Sequence, residues 1–497
     1  MSVEMTLSRE TLCFERLALA REEQVSVEGE ATLPGSMRDA VTVLSVQAQA
    51  YLEDARATAG GMTLRGHVSF QALYTQGDLT RIRAMETTCD FEHSIDAPEL
   101  QPDMRVNASV AVQETEGTAA SGRMTLRALL DLQIEAFETT RQALVTDAAG
   151  DADALRTRMQ RVAFCRTAPL GEEKTLVREE FDLPARLEVG DVLSATGEAA
   201  VAELTGGAGR IGVSGTVEVR VLHRPQEAGN PLVMTSHELP FELSIDTQIP
   251  DGAQIHAQAE AIDVMADSMA DDKHRTLRVE AEVRVRLSGC VQEEKELLED
   301  LYSVSGDALI PQKERFDVHA FEESSDVRES IRLPIALAKD APPIGTALAA
   351  FAQPTITAAT PAGKRLDAEG VMAVTLPMDS DIPMAIHTRE PFAMTFPIET
   401  TEDAQVQARV IEATPGPATS DRAEVRCVVG LHVIKHGVRP LDAVIDVAQQ
   451  PAARQERGFV LVWPAKGESR WETAKRLRVA EEELHPAGKG AMLAFRK

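Results

Sequence analysis

The sequence predicts a mainly β protein, in which three tandem antiparallel β-sandwich-like repeats precede a small module with the order strand, helix, helix, strand. Three observations predict this architecture. A Leu-Pro pair recurs at positions 33, 183 and 333. Alternating apolar and polar runs dominate the chain, as is typical of strands with one buried face. The composition changes abruptly at Gly458, where the sequence acquires a helical pattern.

The repeats are visible because several short features recur in the same order. Each Leu-Pro pair ends a strand-like run, and further along each unit a glycine opens an alternating strand. A phenylalanine-led run follows about 25 residues later, with the third copy the most divergent. The glycine-led runs are Gly66–Phe70, Gly215–Val219 and Gly370–Val374, and the phenylalanine-led runs are Phe91–Asp96, Phe241–Asp246 and Phe392–Phe396.

Each unit closes with a second alternating run, at Met124–Ile134, Leu277–Leu287 and Val425–Ile434. Gly, Pro, Asp and Ser clusters separate the runs, so each unit is predicted to be an antiparallel two-layer β fold. The repeats are expected at 1–145, 146–300 and 301–450. The segment Ala152–Gln160 is predicted to be a helical linker.

The C-terminal module, residues 458–497, is predicted from local signals. Phe459–Trp463 is strand-like, and Ser469 can cap the helix that follows it. Glu481–Leu484 is expected to start a second helix, and Ala491–Phe495 a closing strand. Both tryptophans, Trp463 and Trp471, are expected in the module core, with partner contact by Trp471 as the alternative. The apolar helix face consists of Trp471, Ala474, Leu477 and Val479.

Charge and composition exclude several classes of protein. The formal net charge of -28 opposes binding to nucleic acid or to anionic membranes. From Pro451 to Lys497, ten Lys and Arg face six Glu, a net of +4, so the tail contrasts with the acidic repeats. This segment is either a solvated tail of mixed charge or an aid to finding a partner. The lack of an export signal and of a long apolar run predicts a cytosolic chain without membrane insertion.

Motifs that carry chemistry are weak, and each has a structural interpretation. Gly207–Gly212 matches GxGxxG but lacks the helix that phosphate binding needs, so it is predicted to be a hairpin. His432 and His436 are predicted to lie on a strand rather than in a metal site. An acidic cluster is predicted to be a hairpin tip; it consists of Asp267, Asp271 and Asp272. Five scattered cysteines indicate neither a disulfide framework nor a zinc site. The chain is therefore predicted to be non-enzymatic, with no cofactor and no metal.

The C-terminal module resembles a LysM motif in Gly467–Val479 and Glu482–Leu484. With acidic β-rich repeats before it, the chain resembles the SipL family of spore envelope proteins and their SPOCS domains. That resemblance implies a protein of the mother cell that is recruited to the forespore surface. It also implies docking, through the LysM-like module, to the ATPase of the coat's basement layer.

The resemblance places the partner-binding surface in the two LysM-like loops. Its predicted residues are Lys466, Gly467, Glu468, Ser469, Arg470, Trp471, His485 and Pro486. In LysM modules that bind N-acetylglucosamine polymers, the same loops form the glycan groove. Binding of peptidoglycan is therefore the alternative function, although an absent export signal opposes it.

Overall fold

The computed structural model describes the chain from Met5 to Arg496, apart from a series of gaps. These gaps cover residues 35–40, 77–81, 152, 185–186, 208, 227–231, 270–274, 337–348, 379–383, 401–403, 419–421, 452–457 and 489. The described residues are mainly β, as the sequence predicts, and every strand pairing is antiparallel.

Six strands recur in the same order three times along the chain. The first set is β1 (Met5–Thr32), β2 (Val41–Thr58), β3 (Gly61–Gln76), β4 (Arg83–Asp96), β5 (Arg105–Ala120) and β6 (Arg123–Gly150). The second is β7 (Leu155–Asp182), β8 (Val189–Gly207), β9 (Arg210–Pro225), β10 (Val233–Asp246), β11 (Gln254–Ser268) and β12 (Thr276–Ser303). The third is β13 (Ala308–Ala336), β14 (Phe351–Pro361), β15 (Leu366–Met378), β16 (Met384–Phe396), β17 (Gln405–Ala418) and β18 (Arg422–Gln450).

Each set forms two three-stranded sheets that enclose one apolar core. In the first set the sheets are β2-β3-β4 and β5-β6-β1, and the other sets repeat this order. A single bridge, Arg16 to Val318, joins β1 to β13. Side chains from both sheets share each core, which is why the strands alternate between buried and exposed positions. Strands β6 and β12 continue past the predicted boundaries at 145 and 300, and the division into domains stays a prediction.

The glycine and phenylalanine signatures of the repeats turn out to be direct partners. Gly66 pairs with Phe91, Gly215 with Phe241 and Gly370 with Phe392. A Cβ added at Gly215 would lie 2.5 Å from the Phe241 ring and would also collide with the carbonyl oxygen of Ala200. Each glycine therefore leaves room for a ring across the strand, and only a residue without a side chain fits there.

The opening and closing strands of each repeat are much longer than the sequence predicts. They form antiparallel pairs of strands that are 28 or 29 residues long, and a bulge near the middle interrupts each pair. The residues that the bulges leave unpaired are Ala18, Leu170 and Ala320. Beyond each bulge the pair leaves its own sandwich and packs against the other two pairs.

Three equivalent phenylalanines form the centre of this junction. The ring of Phe14 lies 5.2 Å from that of Phe164 and 5.7 Å from that of Phe316, measured between centroids. Leucines from the closing strands complete the cluster, and all of these side chains are buried. A second apolar cluster between the repeats is formed by the other sheets, with Leu44, Leu73, Leu193 and Leu222 among its members.

A buried ionic network lies beside the three phenylalanines. Glu15 is 1% exposed, and its Oε2 lies 2.8 Å from Arg105 and 3.2 Å from Nδ1 of His319. The backbone amide of Thr167 donates to Glu15 Oε1 at 3.3 Å. One carboxylate thus links strands of all three repeats. Burial alone would raise the pKa of Glu15, but the hydrogen bond to His319 and the charge of Arg105 outweigh it and lower the pKa.

The predicted helix at Ala152–Gln160 is wrong for the residues that the structure describes. Residues from Leu155 onward belong to β7, which pairs with β12 from Leu155 opposite Ser303. The strand is long because its first half reaches into the junction, where tertiary pairing overrides local helix propensity. Ala152 itself lies outside the described residues.

The C-terminal module contains β19 (Gly458–Val462), α1 (Arg470–Leu477), a 3-10 turn (Glu481–Glu483), β20 (His485–Gly488) and β21 (Ala491–Arg496). Its sheet order is β19-β21-β20. The predicted order of strand, helix, helix, strand is not confirmed, because the second helix is one 3-10 turn and a strand follows it. The turn is three residues long, and Pro486 shortly after it lacks the amide that would continue a helix.

We expect Gly215→Ala to destabilise the second repeat by about 1–3 kcal/mol, since the new methyl group overpacks the contact with Phe241. Urea unfolding measures the loss. Gly207→Ala is the matched control, because a Cβ at Gly207 meets no atom within 4 Å. Equal unfolding midpoints for the two variants would contradict the steric role of Gly215.

We expect Glu15→Gln to lower the free energy of unfolding at neutral pH by about 1–3 kcal/mol. We also expect the free energy of unfolding of this variant to change less with pH in the acidic range. Because the pKa of Glu15 is lowered on folding, its contribution is complete above the unfolded-state pKa. It is lost as the pH falls from the ordinary pKa of 4.5 through the lower pKa of the folded state. Urea titrations across this range measure the slope, and Glu10→Gln is the exposed control. Parallel curves for Glu15→Gln and the wild type would refute the linkage.

Candidate docking site in the C-terminal module

The C-terminal module packs against the end of β12 and the turn that follows it. Trp471 is buried there, and its indole Nε1 donates to Asp300 Oδ2 at 2.7 Å. The Trp471 ring meets Tyr302 edge to face, with centroids 4.9 Å apart. Tyr302 also donates to the carbonyl of Val479 at 2.9 Å. The apolar helix face predicted from sequence thus forms a core that includes a residue of the second repeat.

Basic side chains of the module strengthen this attachment. Lys475 Nζ lies 2.5 Å from Asp300 Oδ1. Arg478 donates to the carbonyl of Ser303 at 3.0 Å and to that of Gly306 at 2.8 Å. Burial alone would raise the pKa of Asp300, but its hydrogen bonds with Lys475 and Trp471 outweigh burial and lower it. Part of the positive charge of the tail is therefore used within the chain.

Helix α1 begins as the sequence predicts. Ser469 accepts a hydrogen bond from the amide of Glu472 at 3.2 Å, and the Glu472 carboxylate accepts one from the amide of Ser469 at 2.7 Å. This reciprocal capping box fixes the start of the helix. Arg478, in the left-handed conformation with φ 55°, ends it and turns its own side chain toward the second repeat.

The eight predicted partner-binding residues fall into two groups. Trp471 is taken up by the contact with Asp300, and Arg470 donates to the carbonyls of Glu481 and Leu484, at 2.6 and 2.8 Å. Glu468 is partly buried and pairs with Arg476 at 2.8 Å. Arg470 is exposed despite these bonds, and so are Lys466, Gly467, Ser469, His485 and Pro486. The structure therefore leaves a small polar surface in the loops, while Trp471 faces inward.

A larger exposed apolar surface lies on the outer face of β19. Phe459 is 77% exposed, Leu461 50% and Trp463 62%, and the intervening Val460 and Val462 pack into the module core. Phe495 of β21 lies opposite Phe459, with ring centroids 5.0 Å apart. The prediction that Trp463 belongs to the core is wrong, because the strand places alternate residues on opposite faces. We call Phe459, Leu461, Trp463 and Phe495 the outer apolar face.

The sequence itself carries a signal for this face. The residues of β19 alternate in direction, so every second side chain from Phe459 to Trp463 points away from the helix. An apolar run of this length predicts a strand buried on both faces, whereas a module with one helix can cover only one face of its sheet. The contact residues Asp300 and Tyr302 carried no signal, because they come from the second repeat.

A cavity of about 760 Å³ lies between the repeats and is a second candidate site. Its lining includes Glu198, which pairs with Arg409 at 3.2 Å across the second and third repeats. Burial raises the pKa of Glu198 and lowers that of Arg220, another lining residue. The Tyr51 hydroxyl donates to the carbonyl of Ala261 at 2.8 Å, which links the first and second repeats. The charge of Glu198 is thus explained by pairing between repeats.

Two of the weak motifs have the structural roles that the sequence predicts, whereas Asp267 lies on a strand opposite Arg278 and not in the predicted hairpin tip. Gly207 and Arg210 close the hairpin between β8 and β9, so the GxGxxG segment precedes a strand. His432 lies on β18 and contacts Asp326 at 3.1 Å. Asp267 lies on β11, while Asp271, Asp272 and the side chain of His436 lie outside the described residues. Within the described ranges, no group of three or more His, Cys, Asp or Glu residues is suited to hold a metal ion.

The structure brings together two cysteines that are 125 residues apart in sequence. Sγ of Cys165 and Sγ of Cys290 are 2.6 Å apart, on the paired strands β7 and β12. Both thiols are buried, and the cysteines among the described residues are free. Sequence spacing could not show this contact, because it arises from the register of the long strands.

Comparison with known families gives one match. The family model for SipL, SPOCS domain, matches residues 39–119, a range that covers β2 to β4 and nearly all of β5. This match supports a relationship to SipL and a sporulation-related role. No curated protein and no solved structure matches the chain. Since the match ends before the second repeat, the likeness of the other repeats to SPOCS domains and of the tail to LysM stays a prediction.

Within the described part of the chain, no helix combines the length and the apolar character needed to cross a bilayer.

We expect Asp300→Ala to loosen the C-terminal module, because the indole of Trp471 and the ammonium of Lys475 both lose their acceptor. The cost is about 1–3 kcal/mol. In a Trp463→Phe background, Trp471 is the remaining tryptophan, so its emission should shift to the red and its quenching by acrylamide should increase. Asp246→Ala is the control, since the Asp246 side chain is 85% exposed. An unchanged Trp471 signal in Asp300→Ala would show that this contact does not hold the module.

Proposed function

We propose that this protein is a non-enzymatic structural adaptor in spore coat assembly, active in the mother cell and recruited to the forespore surface. The SPOCS domain match at residues 39–119 carries this proposal, because it is the finding that ties the chain to sporulation. The threefold recurrence of the strand order supports it further. Tandem copies of one binding domain raise the effective concentration at a repetitive partner, which suits assembly on a polymer.

The partner in this proposal is the ATPase of the coat's basement layer, and the C-terminal module is the docking element. Several features favour the module over the repeats. It is basic where the repeats are acidic, and it holds four of the eight exposed large apolar side chains among the described residues. Its attachment through Asp300 and Arg478 also gives it a fixed place relative to the second repeat.

A fluorescent fusion in a sporulating host tests the cellular role. The expected result is a ring around the forespore, and a diffuse signal throughout the mother cell would refute the adaptor role.

Titration of the full chain against the purified ATPase tests the partner. We expect Lys466→Glu to weaken binding about threefold to tenfold, because a charge at the rim of a docking surface contributes roughly 1 kcal/mol. Lys364→Glu, an exposed lysine of the third repeat, is the matched control. No affinity of the wild type for the ATPase would overturn this partner, and equal affinity of the two variants would remove Lys466 from the docking surface.

A further inference from the structure

The outer apolar face combines apolar side chains with an open strand edge. Among the described residues β19 pairs with β21 alone, so the backbone groups along its other edge have no strand partner. The residues of β19, Gly458–Val462, include no charge and no proline, and the strand contains no bulge. Proteins usually protect edge strands with such features, because an unprotected edge pairs readily with another strand. This edge is therefore suited to accept an added strand.

The composition of the adjoining residues indicates the charge of the incoming strand. In sequence, Arg454 and Arg457 come just before β19, and Lys466 follows it. Arg496 is opposite Gly458 in the register of β21, and Lys497 follows Arg496. The stretch between Arg454 and Arg457 also holds Glu456, so by sequence these flanking positions carry a net charge of +4. A strand with acidic residues would complement these flanking charges.

Two other occupants fit these observations less well. A second copy of the module would bring two segments of net charge +4 together, which costs free energy. A glycan would use the aromatic rings but would leave the strand edge unpaired and the flanking basic residues without a counter-charge. An extended acidic protein segment satisfies the apolar face, the edge and the charge together.

We infer that β19 and the outer apolar face form a docking site for an extended, acidic protein segment. The segment adds to the sheet as a strand beside β19 and places its apolar side chains over Phe459, Leu461 and Trp463. This inference deepens the proposed function and rests on it for the identity of the whole partner. It places the apolar anchors of the docking surface on β19 rather than on Trp471, which is already engaged with Asp300, and it leaves Lys466 at the rim.

The first experiment uses the full chain and a short synthetic peptide of alternating glutamate and valine. We expect the emission of Trp463 to shift to the blue as its exposed ring is covered, and the amides of 458–463 to gain protection from hydrogen exchange. A peptide with lysine in place of glutamate is the charge control and should not bind. Failure of the acidic peptide to protect these amides, or equal binding of both peptides, would overturn the inference.

The second experiment compares two double variants of the full chain by calorimetry with the same acidic peptide and with the purified ATPase. Phe459→Ser/Trp463→Ser should weaken both interactions about tenfold or more, as expected for exposed aromatic anchors. Leu176→Ser/Met265→Ser is the matched control, since these two side chains are 59% and 51% exposed on the second repeat. Equal peptide affinity in the two double variants would overturn the inference.

The outcomes separate the inference from the proposed function. Peptide binding on this face without ATPase binding supports the docking site and refutes the proposed partner. ATPase binding that is unchanged in Phe459→Ser/Trp463→Ser keeps the partner and refutes this face. Self-association, or retention on insoluble peptidoglycan, that is lost in the same variant would show that a second copy or a glycan occupies the face and would overturn the inference.

Discussion

The packing of Phe14 against Phe164 and Phe316 is the contact on which the arrangement of the repeats depends. A two-stranded ribbon is at best marginally stable in water, because nothing covers its apolar side chains. Each pair of long strands leaves its own sandwich at a bulge and would be such a ribbon if it stood alone. Burial against the other two pairs covers its apolar side chains, so the outer half of each pair is stable only as part of the set of three.

Glu15 adds specificity to this apolar junction. Apolar clusters alone tolerate small shifts in register, whereas a buried carboxylate requires its partners at fixed positions. Its partners come from three strands, through Arg105, the amide of Thr167 and His319. A repeat that rotated relative to the others would leave a buried charge without a partner, which costs several kcal/mol. The same network therefore ties the mutual placement of the repeats to pH.

The sequence predicts those features of the fold that local patterns determine. The alternation of apolar and polar residues reveals the strands. The recurring Gly66, Gly215 and Gly370 reveal the repeats, because each glycine makes room for a phenylalanine ring within its own sheet. The extension of β6 to Gly150 and of β12 to Ser303 could not be predicted, since their outer halves are stabilised by other repeats. The same reason explains the wrong helix at Ala152–Gln160. Contacts between distant segments, such as that of Cys165 with Cys290, depend on register and leave no local pattern.

The two tryptophans show how tertiary contacts decide which surface a module presents. Equal apolarity predicted the same role for both, yet Trp471 is buried and Trp463 is exposed. Asp300 and Tyr302 accept the helix face, so the module needs nothing more on that side. With one α-helix available, the sheet can be covered on one face only, and the other face remains in water. Because an exposed face of this kind lowers solubility and favours aggregation, the strand that we propose to dock there would also protect the module.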